Sequence, residues 1–512
     1  MQHISGISRH QMRISSLEDA IALDNQVRFI DAFVSFVDLA KLGFAVQTIK
    51  GEGRPSYDSK MFLKIYLYGY LNGLRSSRKL ANECFRNIEM QWLIEAIVPN
   101  YHSISDFRKN NPVALKNLFK LFVSFLKDAD LIAGKTIAID GTKSRAHNSK
   151  KANFNQKKIN QHLEYIETKN QEYLDALEEN DTKESASKIQ NIQQKIERLQ
   201  QNKLRYDLLE EKLKASGEPQ ISTTDSDARA LLVQGEVVEI SFNVQAAVDA
   251  KHNLVVATHT INKNDRSALS AIAIEAKENL GIETYTALVD KGYHNGKQIE
   301  ICKQANITTI VAQPEQGKSN ENGTTKDYLV AQFQYDQDTD TYTCPQGETL
   351  KTTGSWHKKT ADRDSYNFKK YRTPKCKECP VKHLCTSRAG GREIDRSQYA
   401  DAVAENNKRY HANAQLYRKR QEINEHIFGT IKRQWGYNHT NLTGLEKVNG
   451  EHSLIMLVYN IKRSINILGV PDLIAKLQKW NSPYKAKVLF LLKTKYIKLQ
   501  LDFIFYQTKF AV

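Results

Sequence analysis

KTIAID, residues Lys135–Asp140, is a short β-branched run that ends in an acid and is followed by Gly141. A run of this kind predicts a buried strand with the acid at its end. Further strands are predicted at 236–249, 254–261, 284–290 and 308–312, and helices at 267–280 and 295–304. The order of three strands, a helix, a strand, a helix and a strand predicts an α/β protein with a mixed sheet.

Two stretches interrupt this order. Residues 155–215 contain almost no Gly or Pro, and apolar residues recur there at a/d-like intervals, namely Ile189, Ile192, Ile196 and Leu199. A helical hairpin or short coiled coil is therefore predicted as an insertion at about 150–220. A polar region that carries cysteines is predicted as a second insertion at about 315–400. With both set aside, the elements within 131–470 follow the order of an RNase H-like fold.

The first part of the chain predicts an all-helical N-terminal domain, residues 1–130. Apolar positions recur at helical spacing, and basic side chains are interleaved with them, namely Arg75, Arg78, Lys79, Arg86, Arg108 and Lys109. A compact basic helical unit can dock on DNA, as helix-turn-helix domains do. A structural or dimerising bundle is the alternative. Residues 471–512 are predicted to be a basic tail without an assigned role.

Composition favours a soluble globular protein with a polyanionic partner. Of 512 residues, 40% are hydrophobic and 26% are charged, and 74 Lys and Arg against 58 Asp and Glu give a formal charge of +16. This surplus fits nucleic acid, because neutralised phosphates release counterions, although a generic basic surface would also produce it. No apolar run is long enough to span a membrane, and the N-terminus lacks the apolar core of a secretory signal. A cytoplasmic protein, nucleoid-associated when bound to DNA, is expected.

Three acids are placed where they can share a metal site. Asp140 and Asp290 each end a predicted strand, and Glu425 lies inside a predicted helix, one turn from Glu422. Carboxylates are the hard ligands that Mg²⁺ and Mn²⁺ prefer. Two such ions about 4 Å apart can activate a nucleophile and stabilise a leaving oxygen. Each acid alone has an ordinary explanation, a turn or a solvated helix face, so the hypothesis depends on their joint placement.

Four motifs and two N-terminal stretches carry a family resemblance. They are Asp140-Gly-Thr-Lys143, Ser241-Phe-Asn-Val-Gln245, Val289-Asp-Lys-Gly-Tyr293, Glu425-His-Ile-Phe-Gly-Thr-Ile-Lys432, Leu67–Arg78 and His102–Arg108. The chain resembles bacterial insertion-sequence DDE transposases, with the two N-terminal stretches similar to their InsH-like N-terminal domain. The resemblance covers about residues 20–468 and keeps the motif order. It implies that Asp140, Asp290 and Glu425 bind the metal ions.

The last motif departs from the family pattern in one respect. That pattern has Tyr seven and Arg four residues before the Glu, and Lys seven after it. Lys432 has this spacing from Glu425 and not from Glu422, whereas the two earlier positions hold Arg418 and Gln421. Seven residues make about two helical turns. Arg418, Glu425 and Lys432 are therefore expected on one helix face, with Arg418 as the cation beside the acids.

Basic residues around this motif are expected to hold the DNA backbone through contacts that carry no sequence information; they are Arg418, Arg420, Lys432 and Arg433. Tyr417 and Arg420 are each one residue out of register with the family pattern. An ordinary solvated lysine is the alternative explanation of Lys432.

Two amides are further candidates. Asn243 and Gln245 lie two residues apart on a predicted strand and so point to the same face. The resemblance places this strand near the metal site, where the amides would contact DNA phosphate or orient a carboxylate. Structural hydrogen bonding is the alternative. His294 and His426 neighbour the acids and are expected to make ordinary polar contacts.

Four of the six cysteines cluster in the second predicted insertion, at Cys344, Cys376, Cys379 and Cys385. The Cys-x-x-Cys spacing flanked by Pro and Lys is typical of tetrahedral zinc ligation, so a structural Zn²⁺ site is predicted. His383 is an alternative ligand, and free thiols are the alternative to a zinc site. Cys84 and Cys302 have apolar neighbours and are expected in the core.

These inferences predict an enzyme that acts on double-stranded DNA as a homodimer. It would bind the terminal inverted repeats of an insertion sequence, cleave phosphodiesters with Mg²⁺ or Mn²⁺, and join the freed 3′-hydroxyl ends to target DNA. One alternative is a nuclease that cuts without joining. The other is a DNA-binding protein that descends from a transposase and has lost catalysis.

Overall fold

A computed structural model describes residues 3, 8–12, 14–45, 56–147, 150–180, 186–233, 237–314, 324–360 and 365–482. The chain begins with helices, several of them started by an Asn or Asp side chain that accepts a hydrogen bond from the first turn. These helices are α1 (Gln26–Phe36), α2 (Ser59–Leu71), α3 (Ser77–Arg86), α4 (Ile88–Leu93), α5 (Tyr101–Asn110) and α6 (Pro112–Asp128).

The first sheet strand, β1 (Thr136–Arg145), is followed by two long helices. They are enclosed by a two-stranded pair, in the order β2 (Asn153–Phe154), α7 (Gln156–Asn180), α8 (Ala186–Ser216) and β3 (Ile221–Ser222). The two helices pack on each other through partly buried positions such as Ile192, Ile196 and Leu199. This region is therefore helical, as the spacing of its apolar residues predicts.

The central sheet is mixed, as predicted. Its remaining strands, with two helices between them, are β4 (Arg229–Val233), β5 (Val237–Asp249), β6 (Leu254–Ile261), α9 (Leu269–Leu280), β7 (Tyr285–Val289), α10 (Gly296–Gln304) and β8 (Ile307–Val311). The order is β4-β5-β1-β7-β8, with β6 also paired to β5. The pairs of β5 with β1, β4 and β6 are antiparallel, and β1, β7 and β8 are parallel. Sequence analysis missed β4.

One prediction about β1 is wrong. Asp140 does not end the strand, because β5 continues beside it and keeps pairing as far as Arg145. Pairing with β7 does stop just before the acid, at Ile139 opposite Val289. Asp140 therefore lies where one neighbouring strand ends and the other continues.

The cysteine-bearing region contains a second sheet. Its elements are β9 (Gln334–Asp336), β10 (Thr341–Thr343), β11 (Thr349–Thr352), β12 (His357–Lys359), β13 (Tyr366–Arg372), α11 (Lys382–Cys385) and β14 (Glu393–Ser397). The strand order is β12-β13-β11-β10-β9, with β14 also paired to β13, and every pair is antiparallel. A small core of its own lies beneath, including Leu350, Tyr371 and Ile394.

The last described elements are α12 (Ala400–Ala412), α13 (Ala414–Phe428), α14 (Leu445–Leu468) and α15 (Val470–Lys479), with a π-helix, Gly429–Gln434, directly after α13. Of the predicted basic tail, residues 483–512 lie outside the described residues. Helix α14 is buried over most of its length and packs on α6. Gly450 permits this approach, since a Cβ there would lie 2.6 Å from Cα of Pro112.

A single hydrophobic core joins the N-terminal helices, the central sheet and α14. Its largest side chains include Tyr66, Phe122 and Tyr459. The N-terminal helices are therefore packed onto the sheet rather than connected to it by a bare linker. Among the helices that the structure describes, none is long and apolar enough to cross a membrane.

Candidate active site

Two of the three predicted acids meet at the edge of β1 and β7. Because these strands are parallel and pair up to Ile139 and Val289, the next residues, Asp140 and Asp290, extend from neighbouring positions. The guanidinium of Arg420 lies between them, with Nη1 3.4 Å from Oδ2 of Asp140 and Nη2 3.3 Å from Oδ1 of Asp290. The Arg420 side chain is 15% exposed and the two carboxylates are 30% and 40% exposed. The pair is thus accessible, while its cation is mostly covered.

The pKa of Asp140 is raised to about 6, chiefly by burial and to a smaller extent by the nearby carboxylates of Asp290 and Asp265. The backbone N–H of Gly141, which donates to Oδ1 of Asp140 at 2.8 Å, and the charge of Arg420 act in the opposite direction. The pKa of Asp140 therefore stays above its usual value even with Arg420 in place. An added cation would favour ionised Asp140.

The cation beside the acids is Arg420 and not Arg418, which corrects the spacing argument. Helix α13 turns Tyr417, Arg420 and Asn424 towards the sheet, and the Tyr417 hydroxyl donates to the Val289 carbonyl at 3.2 Å. Arg418 is exposed. The rotation of α13 follows from its buried residues, which include Ile423 and Ile427, and the motif spacing does not reveal it.

Glu425 lies apart from the two aspartates. It is exposed, and its Oε1 accepts a hydrogen bond of 2.8 Å from Nε2 of Gln421. Five residues of α-helix separate it from Arg420, a rotation of about 140°. Within the described ranges, no group of three or more His, Cys, Asp or Glu side chains is placed to hold a metal ion. The structure brings Asp140 and Asp290 together and does not bring Glu425 to them.

Lys432 reaches strand β1 from the π-helix. Its Nζ donates to Oγ1 of Thr142 at 3.0 Å and to the carbonyl of Lys143 at 2.8 Å, so it contacts β1 just beyond Asp140. Burial lowers its pKa. Lys432 is therefore a bound, half-buried residue, whereas Arg433 beside it is exposed. The expectation that Lys432 shares one helix face with Glu425 is wrong, because the segment between them is not α-helical throughout.

The amides of Asn243 and Gln245 hold a carboxylate that sequence analysis missed, Asp265. Asn243 Nδ2 and Gln245 Nε2 donate to Oδ1 of Asp265 at 2.7 Å and 2.9 Å, and Lys143 Nζ lies 3.3 Å from Oδ2. Both amides are fully buried. Asp265 begins a 3₁₀ turn before α9, a position that no motif marks. Both carboxylate orientation and structural hydrogen bonding would produce these contacts.

Gly141 is required by this arrangement. A Cβ at this position would lie 2.5 Å from Oδ1 of Asp265 and 2.9 Å from Oδ1 of Asn243, and still closer to Nε2 of Gln245. At Gly141, therefore, β1 lies very close to β5 and to the turn that begins at Asp265. Behind it, the buried hydroxyl of Tyr293 donates to Oε1 of Gln245.

The two histidines near the acids make polar contacts, as expected. His426 Nδ1 lies 2.8 Å from the Tyr459 hydroxyl, and burial lowers the pKa of both His426 and His294.

The four clustered cysteines lie in the segments that connect strands of the second sheet. Burial raises the pKa of Cys376 and of Cys385. The charges of neighbouring cysteines, Cys344 and Cys379 among them, also raise it. Gly391, with φ +90°, lies against Cys376, where a Cβ would collide. The thiols are close, yet the described residues do not form a ligand set for zinc. Cys84 and Cys302 are buried in the core, as predicted.

Two family models match the chain. Residues 15–110 match a transposase domain (DUF772), and residues 343–465 match a transposase DDE domain. No curated protein and no solved structure matches it. The second match includes Arg420, Glu425 and Lys432, while Asp140 and Asp290 lie between the two matches.

Taken with the mixed sheet and the paired aspartates, the matches define a DNA-processing transposase. Both matches support a DDE transposase of an insertion sequence. A DDE domain implies an RNase H-like core and divalent metal ions, and the strand order of the central sheet agrees with that core.

Proposed function

We propose that the protein binds the terminal inverted repeats of an insertion sequence, cleaves the DNA by metal-dependent hydrolysis, and joins the 3′-hydroxyl ends to target DNA. The observation that carries this proposal is the convergence of Asp140 and Asp290 on neighbouring parallel strands with Arg420 between them. Two ionised carboxylates this close repel each other unless a cation lies between them. Such a pair is suited to hold a metal ion.

The donor chemistry fits Mg²⁺ or Mn²⁺. Asp140 and Asp290 would hold one or two ions, and Glu425, which lies apart from them in this structure, would have to move to supply the third carboxylate. Bound ions would activate the attacking oxygen and stabilise the leaving oxygen at phosphorus. The raised pKa of Asp140 supports this assignment, because an added positive charge would offset the burial of its charged form.

The remaining residues of the site would orient the DNA. Arg420 balances the charge of the aspartates, and Lys432 is held on β1 beside them. Exposed Arg418 and Arg433 would contact phosphates from outside the site. Asn243 and Gln245, which are buried and occupied by Asp265, would act on DNA only through that carboxylate.

The domain assignments belong to the same proposal. Residues 1–130 would bind the transposon ends, 131–470 would catalyse, with insertions at about 150–220 and 315–400, and the protein would act as a homodimer on DNA in the bacterial cytoplasm. A structural zinc site at the four clustered cysteines is also proposed, and it would require their thiols to move, because they form no ligand set as they stand. That site would be Cys344, Cys376, Cys379 and Cys385.

The test is a cleavage and strand-transfer assay with labelled DNA that carries the element's own ends. Asp140→Asn and Asp290→Asn should each reduce cleavage on the order of 10³-fold or more, because both remove a charged group of the catalytic set. Joined products from the wild type would exclude a simple nuclease. Binding without any cleavage by the wild type would favour a DNA-binding protein. Full cleavage by either variant would refute the metal-site assignment.

A further inference from the structure

A buried polar layer lies behind the paired aspartates. Asn243 and Gln245, on β5, are fully inaccessible to solvent, and both direct an amide N–H to the same carboxylate oxygen of Asp265. A second N–H bond from Asn243 goes to the Lys263 carbonyl at 2.9 Å. An acceptor shared by two buried amide donors has its position fixed closely, because neither donor has water as an alternative partner.

This layer touches the backbone that carries each aspartate. On the Asp140 side, Gly141 lies directly against Gln245 and Asp265, with no space for a side chain. On the Asp290 side, Tyr293 closes the 3₁₀ turn that follows the acid, and its hydroxyl donates to Oε1 of Gln245. The amide of Gln245 therefore bonds Asp265 with one end and the turn after Asp290 with the other.

A second contact, at Gly292, also connects Asp265 with the Asp290 side of the site. A Cβ at Gly292 would lie 3.8 Å from Oδ2 of Asp290 and 4.0 Å from Cβ of Asp265, so this glycine lies beside both acids. Asp265 is 28% exposed and pairs with Lys143, which is 13% exposed. A third carboxylate beside two others is unfavourable for folding alone, so its placement here calls for a role in the site.

We propose that Asp265 is a positioning residue of the active site, which sets the spacing of Asp140 and Asp290 through the Gln245 amide. Resting on the proposed function, this assigns Asp265 no direct contact with DNA. Its carboxylate orients Gln245, Gln245 holds Tyr293, and Gly141 is pressed against both. Loss of the carboxylate frees the Gln245 amide and loosens the spacing on which metal binding depends.

The experiment measures Mn²⁺ binding to the full chain by calorimetry, alongside the Mg²⁺ concentration that half-activates DNA cleavage. The variants are Asp265→Ala and Asp265→Asn, with Asp130→Asn as the matched control, since Asp130 also pairs with a lysine but on the open surface. Asp265→Ala should weaken Mn²⁺ binding about 10–100-fold, the usual effect of removing a residue that orients metal ligands. Asp130→Asn should bind Mn²⁺ as the wild type does.

A merely structural role predicts a different result, a smaller folded fraction whose Mn²⁺ affinity is unchanged, and that result would overturn the proposal. Wild-type affinity and cleavage in Asp265→Ala would also overturn it. The double variant Asp265→Asn with Gln245→Glu places the carboxylate at position 245 and the amide at position 265, so the contact between them is kept. Recovery of Mn²⁺ affinity relative to Asp265→Asn alone would support the proposal. Asp140→Asn, measured in parallel, separates the two proposals: if it binds Mn²⁺ and cleaves normally, the proposed function itself fails.

Discussion

Two of the groups in which arginine contacts a carboxylate, one in the core and one at the candidate site, have different surroundings. In the core, Glu451 on α14 is 0% exposed and lies 3.7 Å from Arg75 and 3.6 Å from Arg108. It also accepts hydrogen bonds from the backbone N–H groups of Asn441 and Leu442, at 3.0 Å and 3.2 Å. The two aspartates that Arg420 contacts are, in contrast, 30% and 40% exposed.

The difference separates a structural ion pair from a binding site. A buried carboxylate is stable only if its oxygens are satisfied within the protein, and Glu451 meets that condition with cations and backbone donors. The aspartates of the site keep exposed oxygens and one shared cation. The exposed oxygens of these aspartates can still bind a ligand, whereas the oxygens of Glu451 are already bonded within the protein and join α14 to the N-terminal helices.

The largest expected effect comes from breaking the buried group. Glu451→Ala would leave Arg75 and Arg108 buried without their carboxylate, and should lower the free energy of unfolding by about 3–5 kcal/mol. Urea denaturation followed by circular dichroism measures this change. Glu446→Ala, on the exposed first turn of the same helix, is the control and should stay close to wild type. Equal stability of the two variants would contradict the structural role of Glu451.

A smaller effect is expected from pH in the same region. Burial lowers the pKa of His452 from 6.5 to about 4, so the unfolded chain binds its proton more readily between these values. The contribution of neutral His452 to stability is complete above pH 6.5 and is lost as pH falls towards 4. From pH 7 to pH 5 the wild type should lose about 2 kcal/mol more than His452→Gln. Denaturation curves of both proteins at each pH test this, and parallel losses would rule it out.

The smallest effect on stability is expected at the site. Arg420→Ala removes two partly exposed ion pairs and should change the free energy of unfolding by less than about 1 kcal/mol. Cleavage should nevertheless fall about 10–100-fold, since the aspartates lose the group that orients them. Arg418→Ala, two residues away on the exposed face, is the matched control and should cleave DNA more efficiently than Arg420→Ala. If the two variants cleave equally, the active enzyme does not use the rotation of α13 that turns Arg420 towards the aspartates.

Sequence patterns predict five of the six strands of the central sheet, because those five are rich in β-branched residues and mostly buried. They also predict that Asp140 and Asp290 meet, since acids that follow adjacent parallel strands reach the same edge. They could not predict Arg420, because the rotation of α13 depends on side chains from β1, β5 and β7 that pack against it. Asp265 was missed because only the folded chain brings its turn to Gln245.

The second sheet escaped prediction for another reason. Its strands are mostly three to five residues long and largely polar, so no hydrophobic period is long enough to identify them.

The π-helix at Gly429–Gln434 has a consequence for how related chains are compared. A wide turn accommodates one more residue than an α-helical turn would, and it changes the direction in which everything after it points. The seven-residue interval between Glu425 and Lys432 therefore fixes their separation along the chain, and it does not fix their relative rotation about the helix axis. A relative with one residue fewer here would present its lysine to a different neighbour, even if every motif letter were the same.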